Sequence, residues 1–248
     1  MVIDLLPVHA RSKKHRMELC VDNITDGVAR FQCEVFPGQR ALYRRLAHNG
    51  QKPKTLIISC ADSRVVPELI TQCGPGELFV CRNAGNIVPP FEESNGGVSA
   101  AIEYAVVALQ VRDIVVCGHS DCGAMKALLD PNGLVGMPNV AAWLRHSHAA
   151  QRILCEAYPG IGKTAGLHAL ALENVVAQLS HLRTHPAVAA GVATGQLALH
   201  GWFFQIETGD VQVFDGVESR FVPLPSDGAL PVALAAARRV AAPYHVRQ

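Results

Sequence analysis

Leu56-Ile57-Ile58-Ser59-Cys60-Ala61-Asp62-Ser63-Arg64 and Ile114-Val115-Val116-Cys117-Gly118-His119-Ser120-Asp121-Cys122 follow one plan. Each opens on apolar, mostly β-branched residues and closes on side chains that bind metals or carry charge. An apolar run without alternation reads as a strand buried on both faces. Residues 55–59 and 113–117 are therefore expected strands, with Cys60 and His119 just after them.

Between and beyond these strands the sequence alternates helix and strand. Residues 22–50 read as helical, with capping residues at Asn23-Ile24-Thr25-Asp26 and a break at Pro37-Gly38. Phe31 and Val35, and Leu42 and Leu46, share a face at a spacing of four. A helix is expected to start near Pro67, followed by a strand at Glu77-Leu78-Phe79-Val80. Helices are expected at 98–109, at 123–129 (stopped by Asp130-Pro131-Asn132-Gly133) and at 167–182 with Pro186 beyond its end. Two further strands, 196–204 and 211–214, flank a Gly209-Asp210 turn. This order implies an α/β fold, a mostly parallel central sheet flanked by helices with an N-terminal helical arm. We expect one catalytic domain over 1–222, with 1–22 as an arm and 223–248, rich in proline and alanine, as a peripheral tail. Sites in such sheets lie outside the carboxyl ends of strands, where Cys60 and His119 fall.

The 248 residues are 49% apolar and 17% charged, ample for a core. A formal net charge of +1 argues against nucleic acid or an acidic membrane as partner, and the basic run Arg11 to Arg16 reads as a solvated arm. No run of 18 apolar residues is present, so no membrane span is expected, and the N-terminus lacks the pattern of a secretory signal. Eight cysteines without such a signal read as reduced thiols in a cytoplasm.

Cys60, His119 and Cys122 form a zinc-type donor set of two thiolates and one imidazole, leaving a fourth tetrahedral position for water. His119 and Cys122 bracket a turn entering a helix. Cys60 can join them only if its strand neighbours theirs. Taken singly, the cysteines read as buried core thiols and the histidine as a turn residue; their matching places at strand ends favour metal. Asp62 stands close enough to bind the ion or to accept a hydrogen bond from its water, and the Arg64 fork can hold Asp62 in one orientation. Zinc lowers the pKa of bound water to about 7 in sites of three histidines. Two thiolates donate more charge and oppose that effect unless Arg64 and nearby dipoles compensate.

Cys60-x-Asp62-x-Arg64 followed by His119-x-x-Cys122 resembles the β-class carbonic anhydrases. Gln51-Lys52-Pro53-Lys54, the segment from Gly76 to Asn86, Ala101-Ile102-Glu103-Tyr104-Ala105 and His200-Gly201-Trp202 are similar to the family too. The resemblance spans roughly residues 25–215. It implies a sheet of order 2-1-3-4-5, and zinc on Cys60, His119 and Cys122, with water or Asp62 in fourth place. Asp62 and Arg64 are implied as a gating dyad. Gln51 of a neighbouring subunit is implied as a hydrogen-bond partner of bicarbonate. Phe79 and Tyr104 are implied as walls of a CO2 pocket, with the Gly123 backbone beside it. A homodimer or homotetramer is implied. One branch of the family has an inhibitory bicarbonate site built on a Trp, a Gly and a Tyr; here those positions are Ile57, Ser59 and Phe204. The resemblance therefore implies the plant-like or cyanobacterial-like, constitutively open branch.

Hydrolysis of carbonyl sulfide or carbon disulfide uses the same zinc chemistry, and Gln51 favours CO2 over it. A non-catalytic zinc scaffold has no need of the Asp62-Arg64 pair. A zinc deaminase requires His-x-Glu and Pro-Cys-x-x-Cys, both missing. Gly160-Ile161-Gly162-Lys163-Thr164 imitates a phosphate-binding loop, but Ala157 replaces the required glycine and no buried strand precedes it. His146 with His148, and His181 with His185, are read as surface or helix-end histidines rather than second metal sites.

Overall fold

The computed structural model describes residues 20–91, 96–130 and 132–224. The basic run at 11–16, most of the 1–22 arm and the tail beyond Leu224 lie outside the described residues. The chain divides into two compact units, one up to Gly50 and the other from Gln51.

The first unit is helical from Cys20 to Asn49: α1 (Cys20–Arg30), a π-helical turn (Phe31–Val35) and α2 (Phe36–Asn49). The expected break at Pro37-Gly38 does not occur. Proline has no N–H and its ring crowds the carbonyl four residues back. The helix accommodates this by widening one turn earlier, where the Phe36 N–H reaches the Phe31 carbonyl. Pro37 then sits in the first turn of α2, where proline is tolerated. Asn23 to Asp26 lie inside α1 rather than at its start, because the helix has already begun. Phe31, Phe36 and Tyr43 form an aromatic cluster with ring centroids 5.5–6.3 Å apart.

The second unit is a six-stranded sheet: β1 (Thr55–Cys60), β2 (Leu78–Asn83), β3 (Asp113–His119), β4 (Ala198–Phe204), β5 (Val211–Asp215) and β6 (Arg220–Pro223). The order is β2-β1-β3-β4-β5-β6, so the expected order holds and a sixth strand extends it. The first four strands are parallel, and β5 and β6 are antiparallel. β1 and β3 outrun their expected ends, so Cys60 and His119 are final strand residues rather than loop residues. Leu56, Ile58, Ile114 and Val116 are fully buried on one face; Ile57, Val115 and Cys117 are buried on the other. Burial on both faces is what an apolar run without alternation encodes.

Helices cover the sheet: α3 (Pro67–Thr71), α4 (Gly97–Glu103), α5 (Gly123–Leu129), α6 (Pro138–Leu144), α7 (His148–Ala157), α8 (Lys163–Leu182) and α9 (Pro186–Ala193). The helix expected at 98–109 ends in a second π-helical turn (Tyr104–Ala108), closed by the Leu109 N–H on the Tyr104 carbonyl at 3.0 Å. α8 begins four residues earlier than its apolar periodicity indicates, and Pro186 opens α9 rather than trailing α8. α8 lies directly on β3 and β4, because both strands carry glycine beneath it. A Cβ on Gly118 would sit 2.6 Å from Val175 Cγ2, and one on Gly201 would sit 2.9 Å from Val175 Cγ1. This close approach brings the polar residues of α8 to the site.

Candidate metal centre and catalytic site

β1 and β3 are parallel neighbours with Ser59 opposite Cys117, so both strands deliver their last side chains to one edge. Asp121, in the left-handed region at φ 60°, turns the chain between His119 and α5. Cys122 is the N-cap of α5, and Gly123 is its first residue. The ligand atoms of Cys60, His119 and Cys122 all lie within 4.8 Å of one another, and all three residues are buried. Zinc bonds of about 2.0–2.3 Å fit a cluster of this size.

His119 decides between metal centre and buried core. Its Nδ1 lies 2.8 Å from the Ser120 carbonyl, which can only accept, so Nδ1 carries the proton and Nε2 presents a lone pair. That Nε2 is fully buried without a hydrogen-bond partner. An orphaned buried nitrogen costs about 1–3 kcal/mol. A cation beside the two sulfurs removes that cost, and the set fits zinc.

The sulfurs are unequal. The Cys60 thiol is drawn down, first by the Cys122 S–H donating to it, then by the Gly85 N–H and the Asp62 backbone, against its burial. Cys122 is pushed up by that Cys60 neighbour and by burial, although the Met125 and Ala124 N–H groups oppose this. The two sulfurs therefore oppose each other's ionisation, and a divalent metal held between them would offset that opposition. Cys117 is pushed up to about 12 by burial and then by the Cys60 charge, and Cys81 is raised by burial, so both read as core thiols.

Arg64 holds Asp62 in a fork, with Nε 2.9 Å from Oδ1 and Nη2 2.8 Å from Oδ2; the Arg64 backbone N–H adds a bond at 3.0 Å. These bonds keep the Asp62 carboxyl well below the usual carboxylate range, chiefly through the Arg64 side chain. Asp62 Oδ2 lies 4.0 Å from His119 Nε2.

Three supports had no role in the sequence reading. Asp121 accepts from Arg64 Nη1 at 3.0 Å and pairs with Lys126, fixing the outer side of the guanidinium. Arg82 donates to the carbonyls of Cys60 at 3.1 Å and Asp62 at 2.7 Å, bracing the loop that carries both. The Gly85 N–H points at Cys60 Sγ, 3.4 Å away. Asp121 stood inside His-Ser-Asp-Cys, and Arg82 and Gly85 inside the family-like segment Gly76 to Asn86, but none was given a role, because Arg82 and Gly85 act across 20 or more residues. A cavity of about 740 Å³ opens beside this network, lined by Arg64, Ser120, Asp121, Thr164 and His168 among others.

Gln51, Phe79 and Tyr104 do not join the cluster within one chain. Gln51 is exposed ahead of β1, whereas Cys60 ends that strand. Phe79 pairs in register with Leu56, four positions from Cys60, or about 13 Å of strand. Its ring meets that of half-exposed Tyr104, with centroids 5.8 Å apart. The imitation phosphate loop follows α7 rather than a strand, so it lacks the required context. His181 Nδ1 is bound to the Val88 carbonyl. His185 is the N-cap of α9, at a helix end as expected, but it is buried against the Pro89 carbonyl rather than on the surface.

Residues 55–211 match the model of the carbonic anhydrase family. A carbonic anhydrase of Pseudomonas aeruginosa is 53% identical over 202 residues, covering 82% of this chain and 91% of that protein. The β-carbonic anhydrase CcaA superposes with a TM-score of 0.80 at 44% identity, covering 83% of this chain and 92% of that one. One of two tetrameric β-carbonic anhydrases from Sordaria macrospora gives 0.61 at 33% identity, covering 78% and 92%. The matched segment holds the whole Cys60-His119-Cys122 cluster with the Asp62-Arg64 fork, and the chain belongs to the β-class carbonic anhydrases, a family of enzymes.

Proposed function

We propose that this chain catalyses the reversible hydration of CO2 to bicarbonate and a proton, with zinc held by Cys60, His119 and Cys122. The observation that carries the reading is His119 Nε2, buried, without a partner and aimed among two thiols. Bound there, zinc acidifies a coordinated water and so makes a nucleophile for CO2 available at neutral pH. The chain's own residues do the rest. Asp62 is kept ionised and oriented by Arg64, and so would accept a hydrogen bond from a group held at the metal. Asp121 and Lys126 hold Arg64 to that task, and Arg82 fixes the Cys60–Asp62 backbone.

Gln51, Phe79 and Tyr104 serve a site on a second copy of the chain, Gln51 as a bicarbonate donor and the two rings as an apolar wall. Their distance from their own Cys60 and the exposure of Tyr104 support a homodimer or homotetramer, as does the likeness to tetrameric relatives. Gly123 places its backbone beside the metal as the first residue of α5. Ile57, Ser59 and Phe204 stand where the inhibitory bicarbonate site has a Trp, a Gly and a Tyr, which supports the constitutively open branch. The described cysteines are all free thiols, which supports a reducing, cytoplasmic setting. Among the described residues no helix is long and apolar enough to cross a membrane.

Stopped-flow CO2 hydration on zinc-loaded protein tests this, run beside Asp62→Ala. Fast hydration with a large loss in the variant is expected. One tightly held zinc per chain without hydration would overturn the reading.

A further inference from the structure

The segment 84–86 connects β2 to the rest of the second unit and supplies the N–H that meets Cys60 Sγ. Its shape is costly to hold. Gly85 has φ +82° and Asn86 φ +48°, two consecutive left-handed residues. A side chain at Gly85 would collide with α5, its Cβ falling 3.1 Å from Ala124 Cβ and 3.3 Å from Met125 Cε. Such a turn points its amide at the sulfur only if something grips it.

Three groups grip it. Asn83 spans the turn by itself, accepting from the Ile87 N–H at 2.7 Å and donating to the Ile87 carbonyl at 2.9 Å. Trp143 Nε1 donates to the Ala84 carbonyl at 2.9 Å. Asn174, on α8 and 89 positions away, donates from Nδ2 to the carbonyl of Gly85 itself at 3.0 Å. Asn174 is 1% exposed and is immobilised in turn. Its Oδ1 accepts from Ser147 Oγ at 2.7 Å and from Gln178 Nε2 at 2.9 Å. The glycines beneath Val175 set α8 close enough for this reach.

We propose that Asn174 is a positioning residue for the metal centre. By fixing Gly85 it keeps a backbone N–H on the Cys60 sulfur. That bond draws electron density from a thiolate that would otherwise weaken the metal's pull on its water. Outer-shell donors act on metal centres in this way. Two thiolates are the electron-rich feature of this donor set, and Gly85 is one dipole that offsets it. The proposal builds on the reading of Cys60 as a zinc ligand.

The test uses cobalt in place of zinc, because thiolate-to-cobalt charge transfer reports on the sulfur directly. In Asn174→Ala the charge-transfer band should move to longer wavelength, and zinc should be held on the order of 10-fold more weakly against a chelating dye. Ser147→Ala is the control. It removes a buried hydrogen bond from the same network yet leaves Asn174 on Gly85, so it should lower the melting temperature without moving the band. Should Asn174→Ala not fold, Asn174→Asp keeps the acceptor that Ser147 and Gln178 use and removes the amide donor to Gly85; the same band shift is expected. A folded Asn174 variant with the wild-type band, or an equal shift in Ser147→Ala, overturns the proposal. A wild-type cobalt protein with no thiolate band would instead sink the metal-centre reading, so the two failures are distinct.

Discussion

His119 Nε2 and Asp62 Oδ2 stand 4.0 Å apart with no hydrogen bond between them. Each is already committed: Asp62 to the Arg64 fork, and His119 through Nδ1 to Ser120. The histidine Nε2 is thus left without a partner, and the carboxylate lies beside it without bonding to it.

Replacing His119 with Ala should remove metal binding rather than merely slow turnover. Wild-type protein is expected to retain about one zinc per chain after dialysis. His119→Ala should retain far less, while Ser63→Ala, in the loop after β1, stays at the wild-type level. Metal analysis of the folded proteins reads the result. Full zinc occupancy in His119→Ala would refute the assignment.

The Asp62–Arg64 fork predicts a pH dependence of stability. The folded pKa of Asp62 lies below its unfolded value, so the fork's contribution is fully present above the unfolded value of about 3.9 and fades as pH falls toward the folded one. Asp121, lowered by Lys126 and then by Arg64, adds in the same direction. In metal-free protein, the melting temperature of Arg64→Met should fall below wild type near neutrality. The gap should close on acidification below about pH 4. A gap that persists unchanged in acid would contradict the role given to the fork.

Gly118→Ala should destabilise the protein by about 1–3 kcal/mol through overpacking, since the new methyl would meet Val175 Cγ2 at 2.6 Å. Adding Val175→Ala should restore part of the loss, because it removes the colliding methyls. Denaturant melts of the two single variants and the double variant check this; strictly additive losses would count against direct contact.

Thiol labelling should sort the cysteines by position. Cys33 and Cys155 are exposed and should react at once with an alkylating reagent. Cys117, fully buried and with its pKa near 12, should react only on unfolding. Peptide mapping after timed labelling settles the order. Early modification of Cys117 would show that the sheet opens locally.

The parts of the fold legible in the sequence are those that short-range chemistry encodes. β1 and β3 announced themselves as apolar runs, and α5 as a segment between Cys122 and Asp130-Pro131. β6 did not, since Arg220-Phe221-Val222-Pro223 is a short edge strand that takes its place only by pairing with β5. α6 and α7 were missed as well. Much of α7 faces solvent, and only Ala150 and Leu154 are buried in it. α9 was hidden because Pro186 was read as a terminator when it is an initiator. Among the site residues, the donors and the fork share short motifs, and their residue types carry the chemistry. Arg82, Gly85 and Asn174 matter through a guanidinium, an amide and a carboxamide that could serve anywhere. Their importance arises only when β2 and α8 are laid against the end of β1.

Placing one ligand on β1 and the other two at the end of β3 ties the chain to itself at points 59 residues apart. A bound ion therefore works as a removable staple. The relation used for disulfide loops puts the denatured-state entropy removed by closing a loop of that size at about 4 kcal/mol, to the extent that the ion stays on the unfolded chain. To the extent that it binds only the folded chain, its binding energy adds to stability directly. Either way, a starved cell would hold a protein that is inactive and also easier to unfold, so metal supply would govern how much of it survives.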